Sequence, residues 1–388
     1  MNSAGSWQFF NPVEIRFGNG CLQQLPEVVG KRRTLLVTTA GATRRGLTAQ
    51  VQTLLGGRLR QVYDQVESNP ELRSLETGVA ALSAEIPEVI VAVGGGSVID
   101  TAKVLSLALA SSAFNLRTHL QSGTPLPSVA AIPIVAVPTT AGTGSEGTPF
   151  ATVWDSETGK KYSLASPKLF PQLALLDPEL GLGVPRDTTL SCGLDALSQA
   201  LESIWNRRAT PLTTLLSTQA VLKIFEFLPR LLDRLDDLDG RSALLEASLF
   251  SGLAISQTRT ALAHSISYPL TAQFGVPHGL ACSFTLPAIL EYNVAADDGR
   301  LQSLARSVGS PDVAALVRKL HQLLQQVDLN AALQSHQLNL PRMIALKEQM
   351  LTPGRADNNL RAASTGDVAQ ILTRAAESFP AISRATNP

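Results

Sequence analysis

The chain has 388 residues, and its 32 basic side chains balance 32 acidic ones for a formal net charge of +0. That length exceeds what one hydrophobic core usually serves, so two domains are expected. Neutrality argues against a polyanion-binding surface, and nucleic acid is therefore not expected as a partner.

The first half alternates short β-branched runs with amphipathic stretches, as strands and helices do in an α/β domain. Residues 34–38 (TLLVT) predict a strand, Leu47–Leu55 a helix, residues 89–93 (VIVAV) a buried strand and residues 100–110 a helix. Residues 132–137 (IPIVAV) predict another strand, with Pro133 marking its start or an edge position. After Pro185 the pattern turns helical, over residues 188–205, 211–235, 242–258, 313–327 and 367–378. We therefore expect an α/β nucleotide-binding domain with a Rossmann-like, mostly parallel sheet over residues 1–185, and an all-α domain over residues 186–388.

Residues 1–12 lack the basic-then-apolar pattern of a secretory signal, and no run reaches the roughly 18 apolar residues of a membrane helix. Cys21, Cys192 and Cys282 show no CxxC pairing. These features predict a cytoplasmic protein with reduced thiols and no membrane partner.

Residues 89–103 (VIVAVGGGSVIDTAK) combine a buried strand, the glycines Gly94, Gly95 and Gly96, and a helix capped by Ser97 or Asp100. Such a turn brings backbone close to a ligand, and a helix start favours negative charge, so a diphosphate fits. The spacing is not GxGxxG. Residues 138–146 (PTTAGTGSE) follow the next strand and offer Thr139, Thr140, Thr143 and Ser145 to a ribose, nicotinamide or phosphate.

In residues 193–202 (GLDALSQALE), Asp195 and Gln199 are four apart and share a helix face. His264 (ALAHSISYPL) and His278 (FGVPHGLACS) lie among small and apolar residues. An acid with two imidazoles suits either a catalytic divalent metal or a buried polar network.

In order and separation, GGGSVIDTAK, PTTAGTGSE, LDPEL, GLDALSQALE, HSISYPL and VPHGLACS resemble the iron-containing (group III) alcohol dehydrogenases, as does the opening FFNPVEIRFGNG. The resemblance implies a dehydroquinate synthase-like architecture, a homodimer, and an active site in a cleft where an NAD(P)H-linked reaction interconverts small aldehydes and alcohols. It also implies a divalent metal, Fe2+ or Zn2+, on an Asp and three His. Asp195, His264 and His278 match three of these ligands, whereas the fourth position carries Gln199, a weaker ligand than imidazole. A metal-free enzyme, as in the similar maleylacetate reductases, is the other reading.

Many members carry His where this chain has Tyr268, which serves either proton relay or pocket shape. Members that prefer NAD often have Asp where Thr39 stands, so NADPH is admitted here beside NADH, with Arg44 or Arg45 facing the 2′-phosphate or lying in a solvated turn. Residues 256–287, together with residues 194–211, look most like the phosphonoacetaldehyde reductases within this family. An anionic substrate needs a cation, and Arg259 either supplies it or forms a surface salt bridge. Lys160, Lys161 and Arg207 are the other candidate cations, Lys161 being assigned to the cofactor as well. Polyol dehydrogenases and dehydroquinate synthase-like lyases share this architecture, and a non-catalytic nucleotide-binding protein is the remaining alternative.

Overall fold

The computed structural model describes residues 6–384. Its contacts divide the described residues into two compact units, one of residues 11–140 and 144–183, the other of residues 184–384 with residues 6–10 and Ala141–Thr143.

Six parallel strands form the sheet of the first unit: β1 (Glu14–Phe17), β2 (Thr34–Val37), β3 (Leu59–Tyr63), β4 (Val89–Gly94), β5 (Ile134–Pro138) and, after an antiparallel hairpin of β6 (Phe150–Asp155) and β7 (Lys160–Ala165), β8 (Leu173–Leu176). The spatial order is β1-β8-β5-β4-β2-β3. Parallel strands covered on both faces need continuous apolar runs, and β2, β4, β5 and β8 are buried throughout. Alternate residues feed opposite layers. Leu36, Val91, Val135 and Leu173 pack with Leu25, Val51 and Leu55 on one face, while Leu35, Ile90, Ala92 and Ile134 pack with Val98, Ile99 and Leu105 on the other. Each fully buried aliphatic side chain contributes about 1.5–3 kcal/mol, which is what holds both layers to the sheet.

β5 lies in the sheet interior, between β8 and β4. Pro133 stands just before it, and the Pro133 carbonyl accepts the Ile90 N–H at 2.9 Å, so the missing proline donor costs the ladder nothing. The helix expected over residues 100–110 runs over Gly96–Ala108 and so begins at the glycines themselves.

The second unit is helical. Arg186–Ile204, Pro211–Asp233, Leu238–Thr258, Leu262–Phe274, His278–Ser283, Val313–Gln326 and Thr365–Ser378 are its main helices around one large apolar core. The Arg186–Ile204 helix is buried from Gly193 onward, including Asp195, Gln199 and Glu202. No described helix is long and apolar enough to cross a membrane.

Candidate active site

The two glycine-bearing loops of the sheet unit touch each other. The Thr139 N–H donates to the Gly94 carbonyl at 3.0 Å. A Cβ on Gly94 would fall 2.4 Å from Val98 Cγ2, and one on Gly95 would fall 3.0 Å from Thr140 Oγ1. Only glycine fits this turn, whose helix begins at Gly96 with Gly95 at the N-cap and no side-chain cap. The expectation of a cap from Ser97 or Asp100 is thereby corrected. Ser97 Oγ accepts the Asn69 N–H at 3.3 Å, and Asp100 accepts from Ser145 Oγ at 2.6 Å and from the Thr152 N–H at 2.8 Å. Asp100 is thus drawn away from its own helix end toward the PTTAGTGSE loop and β6.

That loop is anchored by a residue the sequence reading passed over. Lys103 is fully buried, and its Nζ donates to the carbonyls of Ser145 and Phe150 at 2.7 Å each, to Ser145 Oγ at 2.9 Å and to Thr148 Oγ1 at 3.1 Å. A buried ammonium persists only when its donors are matched, as here. Burial pushes Lys103 down to about 8 against the opposing charges of Asp100 and Glu146, and pushes the buried Glu146 up to about 7. Thr39 Oγ1 accepts the Ala42 N–H and caps the short helix Ala40–Arg44, which leaves Arg44 and Arg45 exposed. Lys161 pairs with Trp154 across the hairpin, its Nζ 5.4 Å from the indole centroid, and its charge opposes the burial that raises the Asp100 pKa. Thr143 groups with the helical unit, where a Cβ on neighbouring Gly142 would fall 2.8 Å from Cys192 Cβ.

In the helical unit Asp195, His264 and His278 converge. His264 Nε2 lies 3.4 Å and His278 Nε2 4.0 Å from Asp195 Oδ1, and the two imidazole centroids are 5.2 Å apart. Cys282 completes the group, with one ligand atom from each of the four residues within 4.8 Å of the others. The side chains of Asp195 and His264 are only 7% and 5% exposed while that of His278 is 31% exposed, so the cluster opens beside His278.

Backbone proximity makes this possible. A Cβ on Gly279 would lie 1.8 Å from the Ser191 carbonyl oxygen and 3.0 Å from the Asp195 nitrogen, so the His278–Ser283 helix docks directly on the Arg186–Ile204 helix.

Glu202 orients the set. Its buried carboxylate accepts the backbone N–H groups of Ala261 at 2.8 Å, Ala263 at 2.5 Å and His264 at 3.2 Å, and lies 2.6 Å from His264 Nδ1. One group thereby satisfies the first turn of the Leu262–Phe274 helix and fixes the ring, leaving Nε2 turned toward Asp195. Burial disfavours the His264 imidazolium, but its interactions with Cys282, with the Glu202 carboxylate and, through a hydrogen bond, with Asp195 outweigh that cost and hold the pKa well above the ordinary range. Burial raises the Cys282 thiol, and His264 opposes that rise.

Gln199 presents its amide rather than its oxygen. Nε2 donates to Asp195 Oδ2 at 3.1 Å, and Oε1 lies 3.2 Å from Ser251 Oγ. Tyr268, one turn after His264, stacks on His278 with centroids 6.1 Å apart and planes at 15°.

Arg259 ends the Leu238–Thr258 helix at φ 62° and ψ 177°, a conformation nearly reserved for glycine. The Asn206 amide donates to the Arg259 carbonyl at 3.2 Å and its oxygen accepts the Arg208 N–H at 2.9 Å, while Asn358 Nδ2 donates to the carbonyls of Thr260 and Gly354 at 2.9 Å each. Three loops carrying Arg208, Arg259 and Arg355 are thus tied together. Burial, and then the like charges of Arg355 and Arg208, hold the Arg259 guanidinium below its usual range.

Glu202, Cys282, Arg208 and Arg355 were not singled out from sequence. Cys282 follows His278 by four residues and Glu202 follows Asp195 by seven, so each shares a helix face with a recognised ligand candidate.

Residues 12–178 match the family model described as iron-containing alcohol dehydrogenase, and residues 189–376 match the C-terminal model of the Fe-containing alcohol dehydrogenase family. The chain is 33% identical over 304 residues to the 1-propanol dehydrogenase of Salmonella typhimurium, covering 77% of this chain and 76% of that protein. It is 42% identical over 230 residues to the phosphonoacetaldehyde reductase of Streptomyces viridochromogenes, covering 57% and 58%. Among solved structures, sulfoacetaldehyde reductase from Bifidobacterium kashiwanohense in complex with NAD+ superposes with a TM-score of 0.90 at 29% identity, covering 96% of this chain and 99% of that one. The chain belongs to the iron-containing alcohol dehydrogenase family, NAD-linked oxidoreductases that act on alcohols and aldehydes.

Proposed function

We propose that this enzyme reduces a short aldehyde bearing an anionic group, specifically phosphonoacetaldehyde to 2-hydroxyethylphosphonate. The observation that carries the reading is the junction of Arg208, Arg259 and Arg355, three like charges on loops tied together by Asn206 and Asn358, with Arg259 five residues ahead of His264. Guanidinium groups held together against their mutual repulsion are suited to a phosphonate, which they bind through charge-assisted, bidentate hydrogen bonds. The identity to the Streptomyces reductase supports the same substrate. The likeness to the sulfoacetaldehyde reductase favours a sulfonated aldehyde as the second reading.

Asp195, His264 and His278 would hold a divalent metal, Fe2+ or Zn2+, and the donor chemistry of acid plus imidazole fits such an ion. When bound, the metal supplies Lewis-acid polarisation of the carbonyl, and the nicotinamide supplies hydride. Glu202 keeps the proton of His264 on Nδ1 and leaves Nε2 free to act as a ligand. Tyr268, stacked on His278, is our candidate donor of the proton that the alcohol oxygen gains.

We assign the dinucleotide to the two glycine-bearing loops, with Gly94, Gly95, Gly96 and Ser97 toward its diphosphate and Thr139, Thr140 and Thr143, together with Thr39 and Lys161, as further contacts. Asp100 and Ser145 shape the loop through their mutual hydrogen bond. Thr39 brings no carboxylate to the ribose and is followed by the exposed Arg44 and Arg45, which supports NADPH over NADH. A homodimer fits β1, an edge strand that exposes Ile15 and Phe17.

The test is oxidation of NADPH and of NADH with phosphonoacetaldehyde, sulfoacetaldehyde and propanal. A kcat/KM at least tenfold higher for the phosphonate is expected, and equal values for all three would remove the anionic-substrate reading.

A further inference from the structure

We propose that Cys282, and not Gln199, is the fourth protein ligand of the metal, so that this chain binds its ion with an Asp–His–His–Cys set in place of the Asp and three His of its family. The inference rests on the metal-dependent reading above, and its experiment separates the failure of one from the failure of the other.

Geometry supports the exchange. Cys282 is fully buried, sits one turn after His278 on the same short helix, and has Sγ 3.8 Å from both ring nitrogens of His278. A four-coordinate ion with nitrogen and oxygen at about 2.0 Å and sulfur at about 2.3 Å separates its ligand atoms by roughly 3.3–3.5 Å. The distances of 3.4, 3.8 and 4.0 Å among these groups need only small side-chain adjustments to reach that range.

Gln199 is committed elsewhere. Its Nε2 donates to Asp195 Oδ2 and its Oε1 faces Ser251. Turning the amide over would set its oxygen against the Asp195 carboxylate, two acceptors with no proton between them. Gln199 is therefore a positioning residue that holds the rotamer of Asp195.

Charge points the same way. A dication in this buried pocket is neutralised by one carboxylate and one thiolate, whereas a glutamine in the fourth place leaves a net positive charge to be buried. When the sulfur–metal bond forms, the S–H bond breaks and its proton goes to solvent, with no change in oxidation state. A thiolate ligand also shifts preference from Fe2+ toward Zn2+ and Co2+.

The test uses the full-length protein stripped of metal and titrated with Co2+, alongside Cys282→Ser, Cys282→Ala, Gln199→Ala and His264→Ala. We expect a sulfur-to-cobalt charge-transfer band in the near ultraviolet for the parent protein and for Gln199→Ala, and none for either Cys282 variant. Chelator competition with Zn2+ should show affinity falling by about tenfold or more in Cys282→Ser. If Co2+ binds the parent and is lost in His264→Ala, but the band is missing and Cys282→Ser keeps its affinity, the ligand assignment is overturned while the metal reading stands. If Co2+ does not bind the parent, or binds His264→Ala equally well, the metal reading falls and this inference falls with it.

Discussion

Replacing Gly279 with Ala places a methyl group 1.8 Å from the Ser191 carbonyl oxygen, where ordinary contact begins at about 3.4 Å. The obstacle is backbone, not the far end of a flexible side chain, so the His278–Ser283 helix must retreat from the Arg186–Ile204 helix by about 1.6 Å. Overpacking of this kind costs typically about 1–3 kcal/mol. The larger effect falls on the site, because metal sites hold ligand distances to within about 0.2 Å. His278 and Cys282 ride on the helix that moves, whereas Asp195 stays behind. We expect Zn2+ affinity to drop at least tenfold, measured by chelator competition, together with a fall of several degrees in the melting temperature of the metal-free protein. A Gly279→Ala protein with parental affinity and melting temperature would refute the direct docking of the two helices.

Glu202→Gln keeps the shape but replaces one acceptor oxygen with a donor that faces backbone N–H groups. Metal affinity should fall about 10- to 100-fold by chelator competition, and unchanged affinity would show that His264 needs no such partner. The pH dependence of stability should carry the imprint of Glu146. Its folded pKa, raised by burial to about 7, makes the folded state bind the extra proton, so its contribution is present below about 4.5 and is lost as pH rises through 7. Glu146→Gln should flatten the decline in melting temperature over that window, and a slope identical to the parent's would count against it. Arg259→Gly should separate strain from charge. Relief of the backbone at φ 62° preserves or raises the melting temperature, while kcat/KM for the anionic aldehyde falls about 10- to 100-fold and that for propanal holds. A parallel loss with both aldehydes would show that Arg259 does not read the anion.

The sheet was legible where strands are buried on both faces. TLLV and VIVAVG are unbroken apolar runs because parallel strands under two layers of side chains allow nothing else. β1 (EIRF) and β3 (LRQVY) are edge strands with charged, exposed positions, and neither shows such a run. The long helices were readable to within a few residues, the Pro211–Asp233 helix being marked by Thr210, whose side chain caps it. Asp195, His264 and His278 stood out as polar groups in apolar segments, and they do meet. Glu202 was hidden because its role depends on partners far along the chain. Nothing local in ALE announces that its carboxylate will receive the N–H groups of residues some sixty positions later. Arg208 and Arg355 come together only when three loops close on Asn206 and Asn358.

Because the Glu202 carboxylate grips both a helix start and the His264 ring, an ion held by the proposed Asp195, His264 and His278 set would be reciprocally linked to local opening of the chain. Hydrogen exchange of the amides of Ala261, Ala263 and His264 should slow as the ion binds, by the same factor with which fraying of that turn would weaken the ion's hold. Deuterium uptake in that short stretch of backbone would thus read the loading of an ion that those amides do not contact, zinc included, which has no chromophore of its own.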